Sequence, residues 1–145
     1  MIIVVCGPPC SGKSTWVREH AGPKDLIAEI DSLYAAISGR AEHDIDKAQY
    51  MVARKLWDVL LAEIKARNGK WQNAYVVSAA ATQEQITRLA ESVNADEVIV
   101  LDTPMDICLA RAADRPDTTP WDALIRHWFE RRGQRDKDHP FEVLR

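Results

Sequence analysis

Ile2-Ile3-Val4-Val5-Cys6-Gly7-Pro8-Pro9-Cys10-Ser11-Gly12-Lys13-Ser14-Thr15 is the stretch that decides the fold. Its apolar opening lacks a cationic flank and runs straight into Gly7, so it reads as a buried strand rather than a signal segment. Residues 7–14 then complete the pattern Gly-x4-Gly-Lys-Ser, and a helix-like stretch follows. In that setting the glycines let the chain wrap a phosphate, and successive N–H groups and the helix N-terminus point at its oxygens. Lys13 reaches the β- and γ-phosphates, and the Ser14 hydroxyl is the expected metal ligand, to Mg2+. The expected nucleotide-binding residues are therefore Gly7, Pro8, Pro9, Cys10, Ser11, Gly12, Lys13, Ser14 and Thr15, with ATP and Mg2+ as cofactors. The choice between ATP and GTP is open at this level, as are the residues of the base pocket.

Outward from this loop, three further strand-like runs alternate with helical segments: Leu26 to Ile30, Ala74 to Ser78 and Glu97 to Leu101. That alternation predicts an α/β fold of the P-loop NTPase and kinase type, a three-layer sandwich around a four- to five-stranded parallel sheet. The first strand is expected inside the sheet, between the third and fourth, so that sites gather at the carboxyl ends of the strands. Phe141 to Leu144 is a candidate final strand without an assigned place. Ile45, Ala48, Val52, Leu56, Val59, Leu60 and Ile64 recur at helical steps, which predicts one long amphipathic helix ending near Asn68-Gly69. Thr82-Gln83-Glu84-Gln85 reads as a capping box. Thr103-Pro104 and Thr119-Pro120 each read as an N-cap threonine before a proline at the first helical position.

A length of 145 residues suits one domain, 1–145, with a short helical lid expected at about 111–119. No apolar run approaches the roughly 20 residues of a membrane span, so a cytoplasmic protein is expected. The three cysteines, Cys6, Cys10 and Cys108, show neither CxxC nor Cys/His ligand spacing, against a disulfide scaffold or zinc site. A formal net charge of −3 argues against non-specific coating of nucleic acid, which needs many cation–phosphate contacts, but leaves room for a local basic cleft.

Asp31, at the end of the second strand run, stands where an acceptor hydroxyl would approach the γ-phosphate, and a carboxylate there can take the hydroxyl proton. The alternative is a helix N-cap. Arg111 and Arg115 have helical spacing and precede the polar connector Asp114-Arg115-Pro116-Asp117-Thr118, where a lid would bring guanidinium groups over the phosphates. The competing reading is surface pairing. Asp102 closes an apolar strand as a Walker B aspartate would, but Thr103-Pro104 follows instead of a second acid, so it reads as a strand-end residue. The third strand ends in Ser78-Ala79-Ala80-Ala81 without a carboxylate, leaving Mg2+ to Ser14, the phosphates, water and Asp31. The tryptophans read as packing residues, and His43 and His127 as solvent-facing or capping.

With these residues in place, the chain resembles the small P-loop kinases, and among them the 5′-kinase domain of the phage-type polynucleotide kinases. The likeness rests on the GPPCSGKSTW segment, the Asp31 strand end, the strand closing in Leu101-Asp102-Thr103-Pro104 and the Arg111/Arg115 pair before a Pro-initiated helix. It implies that Lys13 and Ser14 hold the triphosphate and Mg2+, that Asp31 is the general base and that Arg115 contacts the transferring phosphate. Two departures touch the acceptor side. Tyr34 stands where the family has an arginine three residues after the base, and Ala79-Ala80-Ala81 replaces a polar segment bearing an aspartate.

The expectation is a kinase with catalytic residues Lys13, Asp31, Arg111 and Arg115, moving the γ-phosphate of ATP to a hydroxyl. The leading acceptor is a polynucleotide 5′-hydroxyl, with Arg111 to Arg135 supplying arginines for its backbone. Kept beside it are a nucleoside, nucleotide or small-metabolite kinase on the same scaffold, and a nucleotide-dependent binding module in which ATP or GTP organises a partner surface. Oligomeric state is open.

Overall fold

The structure is a computed structural model and describes residues 1–133 and the backbone of the strand at 142–144. Its centre is β1 (Ile2–Cys6), all of whose residues are buried, as the unbroken apolar run requires of a strand covered on both faces. Parallel neighbours flank it. β3 (Ala74–Ser78) pairs from Ile2 opposite Ala74 to Cys6 opposite Ser78, and β4 (Glu97–Leu101) pairs with Val5 opposite Ile99. β2 (Leu26–Glu29) adds to the outer side of β3, and β5 (Glu142–Leu144) to the outer side of β4. The order is β2-β3-β1-β4-β5, a five-stranded parallel sheet, with the P-loop strand where it was expected and the final strand at an edge.

Helices fill both layers. On one face Ile2, Val4, Cys6, Ala28, Ala74, Val76 and Val100 pack with Trp57, Leu61 and Ile64 of α3 (Lys47–Ala66), Ile86 and Val93 of α4 (Gln83–Val93) and Trp128 of α6 (Trp121–Arg132). On the other, Ile3, Val5, Tyr75, Val77, Ile99 and Leu101 pack with Val17 and Trp16 of α1 (Lys13–His20). α2 (Ile30–Ser38) follows β2 directly, and α5 (Met105–Ala113) packs on α6 through Cys108, Trp121 and Ile125. The Thr82 capping box forms in full: Thr82 Oγ1 accepts from Gln85 N, and Gln85 Oε1 accepts from Thr82 N.

Three expectations need correction. The long helix exists, but its inward face is Ala53, Trp57, Leu61 and Ile64, while Val52 and Val59 stand 51% and 61% exposed and Ile45 precedes the helix. α3 has two apolar stripes, and the one carrying the large Trp57 ring takes the sheet. Second, β2 stops at Glu29, so Asp31 lies in the first turn of α2, neither strand end nor N-cap. Third, the caps of α5 and α6 fall on Pro104 and Pro120, one residue later than read. Thr103 is drawn off by a tertiary bond, its Oγ1 donating to Ser11 O at 3.0 Å.

Candidate active site

The loop between β1 and α1 shows why its residues have these spacings. Gly12 adopts φ 92° as it enters α1, a left-handed conformation that glycine takes without strain. Gly7 is fixed by contact: a Cβ there would lie 2.9 Å from Ser11 Oγ and 3.1 Å from Leu101 O. Cys10 also has a positive φ of 62° and holds a free thiol. Its carbonyl accepts from Arg111 Nη1 at 3.3 Å, so Arg111 ties the end of α5 to the loop. With the Thr103 bond to Ser11, two consecutive loop carbonyls are anchored from the segment after β4.

Lys13 folds back over its own loop, donating to Gly7 O at 2.9 Å and Pro8 O at 2.8 Å. Burial pulls its pKa down to about 8, with the nearby Cys6 and Glu29 pulling the other way. Ser14 Oγ donates to Glu29 Oε1 at 2.7 Å. Glu29, at the end of β2, escaped the sequence reading because its role depends on β2 lying beside β3, which brings its carboxylate to the start of α1. The Ser14 hydroxyl and the Glu29 carboxylate form a pair of hard oxygen donors of the kind Mg2+ prefers, so the residues present fit that ion, Glu29 directly or through water. Among the described residues no group of three His, Cys, Asp or Glu is gathered as for a protein-only metal site.

Asp31 is half-buried in the same cleft, and desolvation is the main cause of its raised pKa; His43 opposes the shift and Glu29 and Glu42 add to it. His43, read as solvent-facing or capping, is half-buried and lines the cleft, its ring T-shaped to Trp121 with centroids 4.5 Å apart. Trp121 also carries Arg115, whose guanidinium sits 4.4 Å from the ring centroid, and donates its Nε1–H to Asp117 Oδ1 at 2.7 Å. Arg111 and Arg115 do not share a helix face: α5 ends at Ala113, and the connector to α6 has neither helix nor strand.

The cleft has a volume of about 980 Å3 and runs from the loop past Asp31 to Ala79 and Ala80, between α3 and α4. Asp102 does not line it. Nor does Tyr34, which is fully buried, with its hydroxyl donating to Asp44 O and accepting from Asp46 N at 2.8 Å. Tyr34 thus secures the loop that carries His43. Of the arginines from Arg111 onward, Arg115 and Arg131 line the cleft, Arg126 pairs with Asp122 at 2.8 Å, Arg132 donates to Ala81 O at 3.4 Å, and Arg135 lies outside the described residues.

A parallel sheet with a complete phosphate loop on its central strand and an aspartate on the adjoining helix defines a P-loop protein with a kinase-type fold. The chain belongs to the AAA domain family AAA_33, whose model matches residues 2–144. No curated protein matches it in sequence. Among solved structures it is similar to a chain of the Pnkp1/Rnl/Hen1 RNA repair complex, with a TM-score of 0.74 and 15% identity over 97% of this chain. It spans 46% of that chain's length. It is also similar to a sugar kinase from Janibacter sp. HTCC2649 (TM-score 0.59, 21% identity, 99% of this chain and 83% of that one). A third similar structure is shikimate kinase from Bacteroides thetaiotaomicron (TM-score 0.57, 14% identity, 92% and 80%). At these identities the likeness is one of fold. No helix among the described residues is long and apolar enough to cross a membrane.

Proposed function

We propose that the protein is an ATP- and Mg2+-dependent phosphotransferase that moves the γ-phosphoryl group to a hydroxyl, with the 5′-hydroxyl end of a polynucleotide as acceptor. The observation that carries this reading is the placement of Asp31 and the Lys13/Ser14 end of the P-loop along one open cleft. Mg2+ supplies charge neutralisation across the phosphates. Lys13 exchanges its two carbonyl partners for phosphate oxygens, and the amides at the start of α1 point at the same group. Ser14 and Glu29 hold the metal side. Asp31 accepts the acceptor's hydroxyl proton as that oxygen bonds to phosphorus; the bond to the β,γ-bridging oxygen breaks and its electron pair leaves on ADP. Arg115 swings from Trp121 to the transferring group, and Arg111 holds the loop in shape. The fold likeness to a chain of an RNA repair complex supports a polynucleotide acceptor over a small one.

The test is transfer from γ-labelled ATP to 5′-hydroxyl oligonucleotides, nucleosides and sugar acids, with Lys13→Ala as the blank. Label on the oligonucleotide 5′ end is the expected result. Label confined to small hydroxyl compounds would replace the acceptor, and ADP formed at one rate with or without any acceptor would sink the kinase reading in favour of a nucleotide-dependent switch.

A further inference from the structure

We propose that the outward face of α3 is a dimerisation surface, on which a second copy of this chain docks through its own α3, the two helices antiparallel and centred on Val59. Such an assembly goes beyond phosphotransfer and does not depend on what the acceptor is.

The second apolar stripe of α3 lies on the side away from the sheet. Val52, Leu56, Val59, Glu63 and Ala66 follow one another at steps of four, three, four and three residues, the spacing that keeps one seam facing a partner helix. All five are exposed, as is Met51 beside them. Met51, Val52, Leu56 and Val59 stand 65%, 51%, 40% and 61% exposed, so this one helix holds four of the ten large apolar side chains that the described residues leave in solvent. Nothing local calls for them. Valine is a weaker helix former than the lysine, glutamate or alanine that an outward position readily takes, and a contiguous apolar row on a surface marks an interaction site.

The charges on the stripe select both the occupant and its direction. With a two-fold axis at Val59, residues equally far before and after it meet: Lys55 lies opposite Glu63 of the second copy, Leu56 opposite its Ala62, and Val52 opposite its Ala66. The two Lys55–Glu63 pairs form together, because an isologous contact uses each pairing twice. Parallel helices would instead set Glu63 against Glu63 in the seam, two like charges with no cation between them. Lys55 makes no ion pair or hydrogen bond among the described residues, and Glu63 uses only Oε2, which accepts from Asn68 Nδ2 at 3.0 Å. Each larger side chain of the seam faces an alanine, which lets the helices approach closely. The residues of α3 that line the cleft, Tyr50, Arg54, Trp57, Asp58 and Leu61, are all off the stripe, so docking leaves both clefts open.

Sedimentation equilibrium of the full chain over a range of concentrations is the test, and a monomer–dimer equilibrium is the expected result. Val59→Lys puts two ammonium groups together at the axis and should raise the dimer Kd about a hundredfold. Val59 is exposed and off the cleft, so this variant should still bind Mg2+ and an ATP analogue as the parent does, which shows that its fold is intact. Lys55→Glu and Glu63→Lys should each weaken the dimer about tenfold, and the double variant should recover it, since each pair then reforms with its charges exchanged. A parent that stays monomeric at every concentration overturns the proposal and leaves the stripe to a different protein. A dimer that Val59→Lys does not weaken lies on another surface and overturns it as well. Single charge reversals that weaken the dimer without recovery in the double variant overturn the antiparallel pairing.

Discussion

Asp31 carries the sharpest consequence at the scale of single residues. Desolvation raises its pKa, so the folded chain favours the protonated form, and ionising it at neutral pH costs stability. The sign is unusual for a carboxylate: its contribution is favourable at acid pH and is lost as pH rises through the raised value. Asp31→Asn should therefore raise the melting temperature at neutral pH while lowering kcat by about 10^2–10^4, with ATP still bound. A lower melting temperature with unchanged turnover would return Asp31 to a purely structural role. In the parent, kcat/KM should fall as acid protonates this group. Lys13 titrates in the opposite sense. With a pKa of about 8 in the free protein, it is partly neutral near that pH, and triphosphate oxygens restore its charge. ATP binding should then take up protons near pH 8 and none roughly two units lower, and affinity should weaken as pH rises above that value. Calorimetry in buffers of different ionisation enthalpy measures the uptake directly.

Among the elements, the phosphate loop is held from three directions: Gly7 against Leu101 at the end of β4, Ser11 through Thr103 and Cys10 through Arg111. Gly7→Ala would put its methyl 2.9 Å from Ser11 Oγ and 3.1 Å from Leu101 O, so the Ser11 side chain must shift and the packing against Leu101 must loosen by a few tenths of an ångström. The expected cost is about 1–3 kcal/mol of stability, from the range for overpacked sites, together with loss of ATP binding. Unchanged affinity by calorimetry would show that the loop has slack. This loop was legible in the sequence because its spacing is dictated by backbone conformation and by a ligand, both local matters. The order of the inner strands followed from alternation and connection rules. The contacts of Glu29, Thr103 and His43 were not legible, since each depends on a neighbour brought close only by tertiary packing. The inward face of α3 was misread for a related reason. Two apolar stripes share the helix, periodicity counts both, and only the sheet chooses Trp57 over Val52 and Val59.

For the molecule as a whole, the two ends of the cleft belong to different parts of the sheet. The phosphate-loop end is built on β1, α1 and the segment after β4, and the Asp31 end on α2, α3 and α4. The connector from α5 to α6 is seated on Trp121, which is touched by Arg115, Asp117 and His43. This seat makes the protein its own optical gauge. An indole in contact with a guanidinium and an imidazole changes its emission when either departs. Mg2+ with an ATP analogue should thus shift the tryptophan fluorescence, and Trp121→Phe should erase the shift while the other indoles continue to emit. A spectrum that stays the same in the parent under saturating nucleotide would mean that Arg115 never leaves its ring, and the closing step would have to be sought elsewhere in the chain.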